Sequence, residues 1–152
     1  MLYTPEQRAR RDRTIWTLVQ GILAPAQFLV FLVSLALVLR FLLTGEGYGA
    51  ATASILLKTG VLYTIMVTGA IWEKVVFGQY LFAPAFFWED VFSMAVIALH
   101  TAYVVLVLTG AAPGVQMAVA LAAYAAYAIN AAQFLLKLRA ARRETGPGAL
   151  PA

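Results

Sequence analysis

The chain has 152 residues, of which 62% are hydrophobic and only 12% charged, against about 25% charged in ordinary soluble domains. A water-soluble core cannot hide that much apolar surface, and the absence of cysteine excludes disulfides, thiolate nucleophiles and thiolate-held metal or iron–sulfur centres. The formal net charge of +4 does not point to nucleic acid, because every basic residue except Arg40, Lys58 and Lys74 lies in the terminal stretches Arg8–Arg13 and Lys137–Arg143, which flank apolar runs.

In chain order, Thr4-Pro5-Glu6-Gln7 carries a capping hydroxyl, a proline suited to the first helical position and a glutamine three residues after the cap, so a short basic interfacial helix is expected to begin there. A first membrane span is expected over 15–43, longer than the roughly 20 residues a bilayer needs, with Pro25 as a kink. Its continuation into further apolar segments argues against a cleaved signal peptide. The glycine-rich turn Thr44 to Gly49 leads to a second span over 50–72. Pro84 opens a third over 84–108, and after the turn Thr109 to Gly114 a fourth follows over 115–136, its alanines favouring close helix packing.

Residues 1–140 are thus expected to form one transmembrane helical domain, an all-α four-helix bundle, with 141–152 a disordered tail. Basic tails at both ends and an even number of spans place both termini in the cytoplasm by the positive-inside bias.

A charged group at bilayer depth costs roughly 2.5–3.5 kcal/mol even on lenient insertion scales, so each such residue asks for a reason. Candidates are Arg40, Lys58, Glu73, Glu89, Asp90 and His100, the only histidine, with Gln27, Asn130 and Gln133 as neutral partners. Glu89 and His100 share one face of the third helix, about 20° apart in azimuth and ~16 Å apart along the axis. Asp90 is turned by about 100°, so Glu89 and Asp90 address different neighbours.

Antiparallel threading brings Glu73, Asn130 and Gln27 into the same half of the bundle as these carboxyls, where a polar pocket is expected. Lys58 and His100 fall at similar depth toward the other side and form a second group. The competing structural readings are interface residues that snorkel for Glu73, helix-dipole partners for Glu89 and Asp90, and a packed, hydrogen-bonded side chain for His100. Phe86, Phe87 and Trp88 suit either an interfacial belt or the wall of a site for a flat apolar ligand. No phosphate loop, dinucleotide fingerprint or zinc-protease signature is present, and a lone histidine builds no multi-histidine metal site, so no protein metal site is expected.

The segments Leu2-Tyr3-Thr4-Pro5-Glu6-Gln7-Arg8 and Trp16 to Gly21, then Ile71-Trp72-Glu73-Lys74, Tyr80 to Met94, Ala98 to Tyr103 and Asn130 to Lys137 together resemble the vinyl bacteriochlorophyllide hydratase family over residues 2–140. The string Phe82-Ala83-Pro84-Ala85-Phe86-Phe87-Trp88-Glu89-Asp90-Val91-Phe92-Ser93-Met94 is the most specific part. The resemblance implies addition of water to the 3-vinyl group of chlorophyllide a or 3-vinyl bacteriochlorophyllide a, giving a 3-(1-hydroxyethyl) group in bacteriochlorophyll synthesis. It also implies a tetrapyrrole substrate, a multi-pass setting in a bacterial inner membrane, and no cofactor beyond the magnesium of the substrate itself. A homo-oligomer or an association with other pigment-synthesis enzymes is left open by the sequence.

Hydration of a vinyl group needs an acid for its terminal carbon and a base for the attacking water. Glu89 is expected as the acid and Asp90 or Glu73 as the group that orients water. Phe86, Phe87 and Trp88 would stack on the macrocycle, with His100, Lys58 and Asn130 as further substrate contacts and His100 a ligand to the substrate magnesium. The rival readings are a non-catalytic tetrapyrrole carrier or assembly factor, which needs the aromatics but no proton donor, and a small proton-coupled transporter using Glu89, Asp90 and Lys58.

Overall fold

The computed structural model describes residues 2–145, which form five α-helices and one 3-10 turn. The first helix, α1 (Pro5–Arg13), starts on the expected capping box. The Gln7 amide donates to Thr4 Oγ1 at 3.2 Å, and the Thr4 amide donates to Gln7 Oε1 at 2.9 Å. Thr14 then turns extended and caps α2 (Ile15–Thr44), inside which Pro25 leaves one backbone carbonyl without its usual amide partner.

A two-glycine turn reverses the chain into α3 (Tyr48–Phe77). Gly45 adopts φ 73° and Gly47 φ 86°, left-handed conformations that cost glycine little. After a loop, a 3-10 turn at Pro84–Phe86 leads into α4 (Phe87–Leu108), and α5 (Pro113–Thr145) completes the chain. Among the described residues, four helices are long and apolar enough to cross a membrane: α2, α3, α4 with its leading turn, and α5.

The helices run past several expected bounds. The second extends to Phe77 and the fourth to Thr145, so the tail expected over 141–152 begins inside a helix, and residues 146–152 lie outside the described residues.

α2 packs along α3 and α4 along α5, so the bundle is two antiparallel hairpins that meet more sparsely than their own helices do. The main core lies between them, built from Phe31, Val38, Ile55, Leu62, Val96 and Tyr124 with small α5 alanines filling the close approaches. Large apolar side chains such as Leu18, Leu29, Leu43, Leu108 and Leu135 point outward, an arrangement stable only where the surroundings are themselves apolar.

A second, smaller cluster closes the end at which α1 lies. Tyr3 stacks on Phe77 with ring centroids 5.7 Å apart, and Trp72, Phe86 and Phe134 join it. Burial raises the Tyr3 phenol above its ordinary pKa, so the ring packs there as a neutral group. Arg10 Nε donates to the Val76 carbonyl at 3.1 Å, which satisfies an otherwise orphaned group at the end of α3 and straps α1 across it. The Leu2 amide donates to Glu144 Oε2 at 3.1 Å, so both ends of the described chain lie at the same end of the bundle.

Candidate active site

Three carboxyl groups gather beneath α1, where the end of α3 meets the start of α4. Glu73, Asp90 and Glu89 are 4%, 5% and 7% exposed, so none faces open water. Glu73 comes from the first hairpin and Asp90 from the second, and their carboxyls lie close enough to interact.

The loop before Pro84 supplies amides to both members. Phe82 N–H donates to Asp90 Oδ2 at 3.0 Å, and the Ala83 amide addresses Glu73. Glu73 Oε2 is left buried with no hydrogen-bond partner.

Glu89 points to the other side of α4, as its 100° offset from Asp90 requires. It meets Lys137 of α5, whose Nζ lies 2.9 Å from Oε1 and 3.2 Å from Oε2 and also donates to the Ala85 carbonyl at 2.6 Å. Asn130 fixes this side. Its Nδ2 donates to the Glu89 carbonyl at 3.0 Å and to Gln133 Oε1 at 3.1 Å, while its Oδ1 accepts from Ser93 Oγ at 2.9 Å. With every polar atom of its side chain engaged inside the α4–α5 hairpin, Asn130 holds the two helices in register.

A cleft of about 570 Å³ opens on the Lys137 side of this cluster, walled by Leu2, Phe77, Pro84, Ala85, Ala140 and Ala141 and edged by Gln7, Lys137 and Glu144, with the three carboxyls behind its wall and not among its lining residues. The aromatic string Phe86 to Trp88 does not line it. Phe86 is buried, 5.7 Å from Trp72 and 5.8 Å from Phe134, with Lys137 Nζ 5.7 Å from its ring centre. Phe87 and Trp88 turn outward, 40% and 70% exposed, so the string does not present one continuous stacking face.

Lys58 and His100 form the separate interior group expected of them. Lys58 Nζ lies 3.7 Å from the Tyr127 ring centre and donates to Gln27 Oε1 at 3.1 Å. Tyr124 stands between the two, 5.9 Å from Lys58 Nζ and 5.8 Å from the His100 ring. His100 Nδ1 bonds the Val96 carbonyl at 2.8 Å, and its Nε2 is buried without a partner. Gln27 therefore belongs with Lys58 and not with the carboxyls, because the long lysine side chain reaches across to α2. Among the described residues no group of three or more His, Asp or Glu side chains is disposed to hold a metal ion.

Sequence reasoning missed Lys137 and the amides of Phe82 and Ala83. The first left a signal: Asn130, Gln133 and Lys137 recur at i, i+3 and i+7 on α5, one polar stripe that needed a partner on α4. The amides left none, since backbone donors carry no residue type.

The family model for 2-vinyl bacteriochlorophyllide hydratase (BCHF) matches residues 3–140. A 2-vinyl bacteriochlorophyllide hydratase of Cereibacter sphaeroides is 77% identical over 141 residues, covering 93% of this chain and 88% of that one. One of Rhodobacter capsulatus is 75% identical over 141 residues, covering 93% and 82%. No solved structure matches the chain. With the family pattern running through the loop, the carboxyl pair and the Lys137 stripe, the chain belongs to the 2-vinyl bacteriochlorophyllide hydratase family.

Proposed function

We infer that this protein hydrates the vinyl group of a chlorophyllide-type tetrapyrrole in bacteriochlorophyll synthesis, with the buried Glu73–Asp90 pair as its proton-transfer centre. Membership of a hydratase family selects an enzyme over a carrier or a transporter. The observation that carries the assignment of the centre is the meeting of two buried carboxyls from different hairpins, one of them bonded by the Phe82 amide, with Phe77 and Pro84 nearby in the chain lining a largely apolar cleft.

The chemistry needs one proton delivered and one removed. Glu73, whose Oε2 has no partner within the protein, gives a proton to the terminal vinyl carbon. The cation formed on the inner carbon is delocalised into the macrocycle. Water adds there, and Asp90 takes the proton that water loses, so the pair ends the cycle with the proton it began with. The reaction balances without a redox cofactor, and magnesium enters only as part of the pigment.

Glu89 has a different part in this reading. Paired with Lys137, it has its charge already committed, which suits a group that ties α4 to α5 better than one that donates a proton. Phe77, backed by the buried Phe86, gives the macrocycle an apolar floor. His100 lies ten residues beyond Asp90, ~15 Å along the helix, farther than a macrocycle spans from its metal to the tip of a vinyl group. With the vinyl at the carboxyl pair, His100 and Lys58 are therefore assigned to the interior between the hairpins.

We read the chain termini as lying on the cytoplasmic side of a bacterial inner membrane, a reading that the basic α1 and the basic end of α5 support through the positive-inside bias. Purified protein incubated anaerobically with chlorophyllide and no reductant is expected to give a pigment heavier by one water in mass spectrometry, and Glu73→Gln protein to give none. Unchanged pigment with the native protein would return the carrier reading.

A further inference from the structure

Between α3 and the turn at Pro84 the chain holds one residue other than glycine in a left-handed conformation, Phe82 at φ 62°. An L side chain adopts this region at a cost, and it persists where the surroundings demand it. Pro84 supplies the demand. Proline forces the residue before it to be extended, and Ala83 stands at φ −56°, ψ 140°. The reversal into the 3-10 turn therefore falls one residue earlier.

A left-handed residue within a turn aims successive amides to the same side, the arrangement that makes backbone nests for anions. Here the successive amides are those of Phe82, which bonds Asp90 Oδ2 at 3.0 Å, and of Ala83, which lies toward Glu73. The ring takes no comparable part. It is 38% exposed and touches Phe87 at a tilt, with centroids 5.9 Å apart.

Resting on the carboxyl-pair reading above, we propose that Phe82 is a positioning residue for vinyl hydration, acting through its left-handed backbone, which turns two consecutive amides onto Asp90 and Glu73 and so fixes which carboxyl oxygen is left free for the substrate. The side chain at this position is secondary to the backbone shape. A residue that adopts the left-handed region readily keeps the pair aligned even without an aromatic ring, and one that resists it does not.

Four replacements separate backbone from ring. Phe82→Gly and Phe82→Ala both remove the ring and differ by one methyl group, whose only consequence at this φ is conformational. Phe82→Asn tolerates the left-handed region, whereas Phe82→Val resists it most. In membranes or detergent, kcat is expected to stay near the native value for Gly and Asn, to fall several-fold for Ala and by about tenfold or more for Val, with KM alike throughout.

Should the Val protein fail to accumulate, the Gly–Ala comparison alone decides. Ala equal to or better than Gly, or losses confined to KM, would overturn the proposal, because activity would then follow the ring or the fit of the pigment. Glu73→Gln is measured alongside. If it turns over like the native protein, the carboxyl-pair reading fails; if it is inactive while the Phe82 series is flat in kcat, only the role of Phe82 fails.

Discussion

Glu89 and Asp90 are neighbours in sequence whose side chains turn to different partners. One finds Lys137 on α5, the other finds Glu73 on α3, and that division sets different expectations for each. Asp90→Asn keeps the shape and removes the proton acceptor, so turnover should fall by roughly 10²–10⁴, the usual range for losing a general acid or base. Single-turnover assays on protein that elutes normally from a sizing column check this; native-like rates would remove Asp90 from the mechanism.

Lys137→Met should act first on stability. It leaves the Glu89 carboxylate buried and unpaired, at a cost of about 1–3 kcal/mol, read as a lower melting temperature in detergent. Adding Glu89→Gln to it should recover most of that loss, because the stranded charge goes with it. A double variant less stable than Lys137→Met alone would contradict the pairing.

At the scale of elements, the α4–α5 hairpin is held by polar bonds as well as by its alanines. Asn130→Leu removes the bonds to Glu89, Gln133 and Ser93 together, while Ser93 keeps its own bond to the Glu89 carbonyl, so a loss of about 1 kcal/mol is expected. Because Asn130 meets no substrate in this reading, KM should hardly move in the folded fraction.

α1 is the other element with a distinct job. Apart from the contacts of Tyr3 and Leu2, it is strapped down by the Arg10 bond to Val76, and it carries Gln7 at the rim of the cleft. Arg10→Ala frees the end of α3 from that strap. The expected result is a several-fold rise in KM for the pigment with kcat retained, and a fall in kcat at constant KM would show that α1 does more than shape the cleft.

For the whole molecule, what matters is that two hairpins meet across polar groups. Lys58 lies wholly inside that meeting, packed on Tyr127 and bonded to Gln27, and among the described residues no carboxylate pairs with it. Lys58→Met, of similar length, should therefore fold and hydrate pigment at close to the native rate, since exchanging a buried charge for an apolar group of like volume is often neutral or stabilising. Loss of turnover in folded protein would return Lys58 to the active site. Orientation has an equally direct test, because the chain contains no cysteine. A single cysteine at Glu46→Cys should react with an impermeant maleimide from the outer face of spheroplasts, and one at Gln79→Cys only after lysis; the reverse pattern would place the termini outside.

Length and hydropathy alone determined that the chain forms four long apolar helices, and the turn residues placed them closely, because a bilayer leaves a backbone few ways to satisfy its hydrogen bonds. The capping box at Thr4 was equally legible, being local chemistry. The polar residues of the interior were legible as a set for the same reason: lipid tolerates so few that each stands out. Which of them meet was not. The pairing of Glu73 with Asp90, the capture of Glu89 by Lys137 and the drift of Gln27 toward Lys58 depend on how the two hairpins rotate and slide against one another, and helix periodicity fixes a face without fixing what lies opposite. The two loop amides that hold the carboxyl pair belong wholly to the tertiary structure, since they arise from a left-handed turn at a phenylalanine, where residue type alone argues for the opposite conformation.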